Sequence, residues 1–267
     1  MIMRKKRDEA YGETVRKTHG NGNAEMERME RAGESDQKSR LGTAPLRGLI
    51  MSMALPTVAA QLVNLLYNIV DRIYVGHIPG DGTMALAGLG ITFPAVILIT
   101  AFSNLVGMGG SNRASIAMGR GDYEQAERIL GNCVTLILGL SVLLGAGFMA
   151  VKLPLLRAFG ASEATLPYAD AYLTIYLMGT IFVMTTLGLN NFITNQGFAK
   201  TSMLTTCIGA ALNIILDPVF IFVFGMGVEG AAIATVISQL CSGLACLMYI
   251  AKKFPLLVPR KQDWRFR

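Results

Sequence analysis

Long stretches without a charged side chain are the feature of this 267-residue sequence that most limits its fold. Five of them hold no Asp, Glu, Lys or Arg, and a sixth is interrupted only by Asp217: residues 48–70, 82–112, 129–151, 171–199, 230–251 and 201–228. A helix needs about 20 such residues to cross a bilayer, and buried helices of soluble proteins seldom sustain more than about 14. The sequence therefore predicts an all-α integral membrane protein, a bundle of six transmembrane helices.

The spans are expected within one domain, 45–254, at about 46–76, 84–112, 127–151, 167–195, 201–225 and 230–251. Residues 1–44 combine mixed charge with few apolar side chains, so this segment is predicted to be a disordered tail. It also lacks the apolar stretch of a cleavable secretory signal. Residues 255–267 are predicted to be a second, basic tail.

The placement of the 24 Lys and Arg residues predicts the orientation of the spans. With both termini inside, 21 of these residues fall on the inner side and only Arg72, Lys152 and Arg157 on the outer side. Cytoplasmic loops of membrane proteins carry such an excess. We therefore expect a multi-pass plasma-membrane protein with both tails in the cytoplasm, and no nucleic-acid partner despite the net charge of +6.

Motifs for enzyme chemistry and for cofactors are missing from the sequence. It has no phosphate-binding glycine loop and no Ser-His-Asp set. A zinc site is not expected, because the only histidines in the sequence are His19 and His77. The four cysteines all lie within spans and have no metal-ligand spacing. The sequence predicts no enzyme and no cofactor.

An aspartate inside the fifth span is the strongest functional signal. An ionised carboxylate is costly within a bilayer, so an intramembrane Asp217 indicates a functional site. Asn213 precedes it by one helical turn and shares its face. Pro218 removes the next backbone donor and loosens the helix at the charge.

The first span carries a polar stripe. Gln61, Asn64, Asn68 and Asp71 recur every three or four residues, which places them on one side of a helix. Within a membrane such a stripe faces protein or a water-filled cavity. Pro56 lies near the inner end of the same span and is expected to kink it.

Four polar side chains on three spans are predicted to reach a similar depth. From the helical rise, Asp71 lies roughly 7 Å, Asp217 roughly 12 Å and Thr235 roughly 9 Å below the outer ends of their spans. If the helices touch, Asn213 joins them. Two close carboxylates resist joint ionisation, so such a group can carry a proton or hold a monovalent cation such as Na⁺.

Four segments together are similar to one family of membrane proteins. Residues 65–76 (LLYNIVDRIYVG) and 87–94 (AGLGITFP) resemble the opening of multidrug and toxic compound extrusion (MATE) transporters. Residues 213–222 (NIILDPVFIF) and 230–239 (GAAIATVISQ) resemble their fifth and sixth helices. The resemblance covers about residues 46–254 and is nearest to the prokaryotic multidrug-efflux branch.

The resemblance assigns roles to the residues singled out above. It implies a cation-coupling site at Asp71, Asn213, Asp217 and Thr235, and a hinge at Pro56. It places Tyr67 and Asn190 at a substrate cavity, where the stripe residues Gln61, Asn64 and Asn68 are also expected. Thr194 departs from the family, because many relatives carry an arginine there.

The function implied by the resemblance is antiport, in which small amphipathic cationic compounds leave the cell as H⁺ or Na⁺ enters. The family has twelve spans in two six-helix lobes, and this chain resembles the amino-terminal lobe alone. We therefore expect either a half-transporter that works with a second lobe or a second copy, or a truncated and inactive lobe.

Two more distant alternatives remain open on the sequence. A flippase of the same superfamily would move lipid-linked sugars, but it would be expected to have a more cationic cavity. An intramembrane aspartyl protease would use Asp71 and Asp217 as its catalytic pair, although the aspartates of such proteases follow Tyr or a Gly-x-Gly motif. Here they follow Val70 and Leu216.

Overall fold

The structure, a computed structural model, describes residues 46–253. Contacts divide the chain into two units, Met1–Ser52 and Met53–Arg267. Of the first unit, only the opening turns of one helix belong to the described residues. The predicted tails, 1–44 and 255–267, lie outside the described residues, and the architecture below is that of the second unit.

Every regular element in the described part of the chain is helical, as the sequence predicted. Residues 46–253 form seven α-helices and one π-helical segment. In chain order they are α1 (Leu46–Gly76), α2 (Gly82–Gly119), α3 (Tyr123–Ala158), α4 (Leu166–Met178), α5 (Thr180–Asn195), α6 (Ala199–Pro218), the π-helical segment (Val219–Val223) and α7 (Gly227–Lys253).

Within the described residues, five helical spans are long and apolar enough to cross a membrane, and α6 with the π-helical segment forms one of them. A sixth is obtained if α4 and α5, which meet at an angle of 59°, form one bent span. The prediction of six spans therefore agrees with the structure, but the fourth span is broken where the sequence suggested one continuous helix.

The break falls at Gly179, between α4 and α5. A Cβ atom added there would lie 2.3 Å from Cγ2 of Val236 on α7. Any larger residue would push α7 away, so glycine allows the bent span and α7 to pack closely. The bend thus coincides with a close contact between helices, which hydropathy does not report.

A second irregularity follows Asp217. Pro218 has no backbone N–H, so the regular pattern of α6 ends there. The next turn is wider, and the N–H of Phe224 donates to the carbonyl oxygen of Val219, five residues earlier, at 2.9 Å. The start of α7 packs on this turn, since a Cβ atom at Gly230 would lie 2.8 Å from the carbonyl carbon of Phe220.

Helix α1 packs against the rest of the unit along a narrow stripe. Among its described side chains only Pro56, Ala60, Asp71 and Val75 are buried. Most of its large apolar side chains, Leu62 and Ile69 among them, are exposed. The buried stripe turns Asp71 towards the other helices, where the core of the bundle lies.

Candidate functional site

The two intramembrane aspartates meet in the interior. The side chain of Asp71 on α1 is 7% exposed, and that of Asp217 at the end of α6 is fully buried. Their carboxyl groups lie within hydrogen-bonding reach of each other. Two carboxylates this close repel unless a proton or a cation lies between them.

Two further predicted residues complete the group. The Nδ2 atom of Asn213 donates to Oδ1 of Asp217 at 3.1 Å and contacts Oγ1 of Thr235 at 3.4 Å. The first contact follows from the spacing of one helical turn, and the second joins α6 to α7. We call Asp71, Asn213, Asp217 and Thr235 the carboxyl site.

Three oxygen atoms of the carboxyl site have no hydrogen-bond partner among the described residues. They are Oδ1 of Asp71, Oδ1 of Asn213 and Oδ2 of Asp217. A buried acceptor without a donor is costly, commonly by about 1–3 kcal/mol and more when it is charged. Hard cations take carboxylate and amide oxygens as ligands, so the donor set fits a monovalent cation. It fits a proton shared between the carboxyl groups equally well.

Two tyrosines on α4 border the carboxyl site, and the sequence reasoning missed them. The hydroxyl group of Tyr172 lies close to the side chain of Thr235. The rings of Tyr172 and Tyr176 stack with their centroids 6.1 Å apart, and both side chains are almost completely buried. Their spacing of four residues places them on one face of a helix, but this pattern does not separate them from ordinary core residues.

A cavity of about 190 Å³ adjoins the carboxyl site between α1, α5, α6 and α7. Amide and hydroxyl groups dominate its wall, so we call it the amide-lined cavity. Its polar lining residues are Asn64, Tyr67, Asn68, Thr186, Asn190, Thr206, Asn213, Thr235, Ser238, Gln239 and Ser242. No lining residue carries a charge, and Asn213 and Thr235 belong to both the cavity and the carboxyl site.

The predicted cavity residues fall into two groups. Asn64, Tyr67, Asn68 and Asn190 line the amide-lined cavity. Gln61 does not line it, and its side chain is exposed. At 3.6 residues per turn, Gln61 lies about 90° from the middle of the buried stripe of α1, which explains the difference.

Asn190 serves two purposes at once. Its Oδ1 atom accepts a hydrogen bond from Thr205 Oγ1 at 3.0 Å and a longer one from Cys246 Sγ at 3.6 Å. Its Nδ2 atom contacts Thr206 Oγ1 at 3.4 Å. These contacts bind α5 to α6 and α7 while the amide also forms cavity wall.

Pro56, the predicted hinge, is buried on α1 but far from the carboxyl site. Fifteen residues separate it from Asp71, or roughly 22 Å along a helix. It therefore contacts neither the carboxyl site nor the amide-lined cavity, and it would act only by changing the course of α1.

The sequence is similar to those of several known proteins. The MatE family model matches residues 56–219. The "Multidrug export protein MepA" of Staphylococcus haemolyticus is 30% identical over 210 residues, which cover 76% of this chain and 45% of that protein. The "FAD transporter" of Shewanella oneidensis is 29% identical over 203 residues, which cover 74% of this chain and 44% of that protein.

A solved structure described as "Crystal structure of MATE in the bent conformation" has the same fold. It superposes with a TM-score of 0.76 at 28% identity and covers 83% of this chain and 49% of that one. This chain thus spans about half the length of the relatives that it matches, and those relatives are transporters rather than enzymes. Because the family model matches more than half of the sequence and the fold agrees, the chain belongs to the MATE family of multi-pass membrane transporters.

Proposed function

We propose that this chain forms the cation-coupling lobe of a MATE-type antiporter that exports small amphipathic cationic compounds in exchange for H⁺ or Na⁺. The observation that carries the proposal is the carboxyl site. It places two buried aspartates together with three acceptor oxygens that lack donors. A membrane protein keeps such a costly arrangement where a cation or proton binds and leaves.

Cation binding would neutralise the carboxyl pair. With the pair empty and ionised, repulsion between Asp71 and Asp217 favours separation of α1 from α6. A proton or Na⁺ between them replaces repulsion with attraction and draws the helices together. The ion thereby binds the two arrangements with different affinity, which is the requirement for coupling.

Helix α1 is the element best suited to move. It carries Asp71, the cavity residues Asn64, Tyr67 and Asn68, and the buried Pro56. Its burial is confined to one stripe, so a change in its course disturbs few packed side chains. A bend near Pro56 would shift the wall of the amide-lined cavity and reduce its volume as the ion binds.

The orientation and the partner are part of the same proposal. The excess of Lys and Arg on one side supports cytoplasmic termini. Polar side chains that are exposed at membrane depth on α1, such as Gln61 and Asn68, are poorly matched to lipid. A second lobe, or a second copy of this chain, would cover them and complete the substrate path.

The proposal is tested by ethidium efflux from pump-deficient cells that express the chain, alone and with its Asp217→Asn variant. We expect the variant to lose the cation-dependent efflux that the parent shows, because an amide cannot accept the proton or balance a cation. The exposed Glu124→Gln variant is the control, since Glu124 pairs only with Arg128 on the surface of α3.

A second measurement does not depend on transport. Dicyclohexylcarbodiimide reacts with protonated carboxyl groups in apolar surroundings, and peptide mass spectrometry locates the product. We expect labelling at Asp71 or Asp217 in the purified protein, and slower labelling when Na⁺ competes for the site. Absence of the product at both aspartates would contradict the proposed ion site, whether or not efflux is observed.

A different substrate class has one observation in its favour. The amide-lined cavity offers amide and hydroxyl groups but no charged side chain. Such a wall recognises uncharged hydrogen-bonding groups, and one relative is named as a transporter of FAD. Competition of riboflavin with ethidium efflux would favour export of flavin-like compounds over export of cations.

A further inference from the structure

One side of α2 is exposed along its second half and follows a regular pattern. Its members recur every three or four residues, which places them in one line on the helix. All of them are exposed, and in chain order they are Phe102, Leu105, Gly109, Arg113, Ile116 and Arg120. We call this line the α2 stripe. It begins with apolar side chains and ends with two arginines.

The α2 stripe lies on the side of α2 that is turned away from α1. The guanidinium group of Arg72 on α1 lies 5.3 Å from the centre of the Phe93 ring, so α1 meets α2 at Phe93. At 3.6 residues per turn, Arg113 lies about 160° around the helix from Phe93. A second lobe that covered the polar side chains of α1 would therefore leave the α2 stripe in contact with lipid.

The arginines lie where α2 leaves the hydrocarbon layer. The uncharged stretch 82–112 ends directly before Arg113. It measures about 46 Å along a helix, which exceeds the hydrocarbon thickness of about 30 Å. Arg113 therefore reaches the layer of lipid headgroups, and Arg120 follows about 10 Å further along the helix. In the proposed orientation these are the headgroups of the cytoplasmic leaflet.

The two arginines of the stripe are not neutralised by other described residues. Neither Arg113 nor Arg120 forms an ion pair within residues 46–253. The first two acids that follow them are engaged elsewhere. Oδ1 of Asp122 accepts from the backbone N–H three residues later at 3.0 Å, and Glu124 pairs with Arg128 at 2.6 Å. Both guanidinium groups are therefore available to an anion.

A notch separates the apolar part of the stripe from its basic part. Gly109 has no side chain, and a Cβ atom added there would meet nothing within 4 Å. Leu105 precedes it by one turn and is 69% exposed, while Arg113 follows it by one turn. The notch thus leaves room for an alkyl chain directly below a group bound to Arg113.

This order of apolar surface, notch and positive charge matches the shape of an anionic phospholipid. A guanidinium group binds a phosphate through two parallel hydrogen bonds. The methylene groups of an arginine remain in apolar surroundings while its charged end extends to the headgroups. A free phosphate would use the arginines alone, whereas a lipid would also use the notch and the apolar side chains.

We propose that the α2 stripe binds one anionic phospholipid, with its phosphate at Arg113 and Arg120 and an acyl chain along Gly109, Leu105 and Phe102. The assignment to the cytoplasmic leaflet rests on the proposed orientation. Binding itself goes beyond the proposed antiport, because it requires neither the carboxyl site nor a substrate. A lipid held there would fix the depth of the inner end of α2 in the membrane.

The test is native mass spectrometry of the purified full chain in detergent, titrated with palmitoyl-oleoyl phosphatidylglycerol and with phosphatidylcholine of the same chains. We expect the parent to bind phosphatidylglycerol more tightly. In the double variant Arg113→Gln, Arg120→Gln the Kd for phosphatidylglycerol should rise about tenfold, because two charges near the headgroup are lost. Both positions are exposed, so folding should not change.

The matched control is Arg128→Gln. Arg128 is an exposed arginine near the same end of the bundle, but it lies on α3 and is already paired with Glu124. Its replacement should leave the Kd for phosphatidylglycerol unchanged. An increase as large as that of the double variant would indicate attraction to positive charge in general and would overturn the proposal.

Two further titrations distinguish a lipid from a free phosphate. Gly109→Leu fills the notch and keeps both arginines, so it should weaken binding of phosphatidylglycerol. Glycerol 1-phosphate, the headgroup without acyl chains, should not displace phosphatidylglycerol at equal concentration. Displacement by glycerol 1-phosphate, or unchanged binding in Gly109→Leu, would overturn the lipid site.

The proposal is also overturned if the parent binds the two lipids equally, or if the double variant keeps the affinity of the parent for phosphatidylglycerol. Loss of coupled efflux in Asp217→Asn tests the antiport proposal alone. Failure of either proposal is therefore distinguishable from failure of the other.

Discussion

One amide group belongs to both the carboxyl site and the amide-lined cavity. Asn213 holds Asp217 through its Nδ2 atom and at the same time lines the amide-lined cavity. Its side chain is almost completely buried, so water does not replace the contacts that it makes. The hydrogen bonding of the carboxyl site therefore depends on the orientation of this one side chain.

Replacement of Asn213 by alanine is expected to destabilise the protein. It removes the donor to Oδ1 of Asp217, and a buried acceptor that loses its donor costs about 1–3 kcal/mol. The midpoint of thermal unfolding in detergent, followed by circular dichroism, should fall. Asn112→Ala is the control, because Asn112 is exposed and its Oδ1 only accepts from Asn195 at 2.9 Å. Equal midpoints for the two variants would contradict the role given to Asn213.

At the scale of residues the sequence identified the charged members of the site and missed its aromatic members. Asp71 and Asp217 could be predicted because a carboxylate inside a bilayer needs a reason to be there. Tyr172 and Tyr176 could not be separated from ordinary core residues, because tyrosine is common in apolar interiors. Gln61 was expected at the cavity, but it lies about 90° around α1 from the middle of the buried stripe and is exposed.

Among the helices, α2 and α5 approach each other closely at a pair of glycines. A Cβ atom at Gly107 would lie 2.9 Å from Cα of Gly188 and 2.8 Å from Nδ2 of Asn191. Small residues at such crossings let transmembrane helices pack closely, since lipid gives little hydrophobic drive for their association. The position of α5, and hence of Asn190 in the cavity wall, rests on this contact.

Gly107→Ala is expected to lower stability by about 1–3 kcal/mol, because the added methyl group forces α2 and α5 apart. Gly109→Ala lies two residues away on the same helix, where a Cβ atom would meet nothing within 4 Å. That variant should instead gain up to about 1 kcal/mol of helix propensity. Thermal unfolding of the two variants in parallel checks the opposite signs, and a loss of equal size in both would refute the packing argument.

The irregular elements were beyond what hydropathy reveals. The spans could be predicted from the length of the uncharged stretches alone, because the transfer free energy into a bilayer is close to a sum over residues. The 59° bend occurs at Gly179, where the span packs closely on Val236 of α7, and this contact joins residues far apart in sequence. Pro218 signalled a disturbed helix after Asp217, but its form as a π-helical turn depends on packing against Gly230.

For the whole molecule, the proposed orientation makes a labelling prediction. Glu163 is an exposed residue between α3 and α4, expected outside, and Arg120 lies between α2 and α3, expected inside. A membrane-impermeant maleimide should modify Glu163→Cys in intact cells and Arg120→Cys only after the cells are opened. The four native cysteines all lie within helices of the bundle, which limits background. The reverse pattern would contradict the proposed orientation.

The shared amide of Asn213 has a consequence for how transport can be regulated by concentration. In the proposed antiporter, a compound in the cavity that turns this amide towards itself would remove Oδ1 of Asn213 from the acceptor oxygens of the carboxyl site, and so would weaken the binding of a cation there. Linkage then requires that a bound ion lower the affinity of the cavity for the compound by the same factor. A high ion concentration outside the cell would therefore favour release of the compound. A high concentration of the compound inside the cell would favour release of the ion. The orientation of one side chain would thus determine how strongly the ion gradient and the compound gradient are coupled.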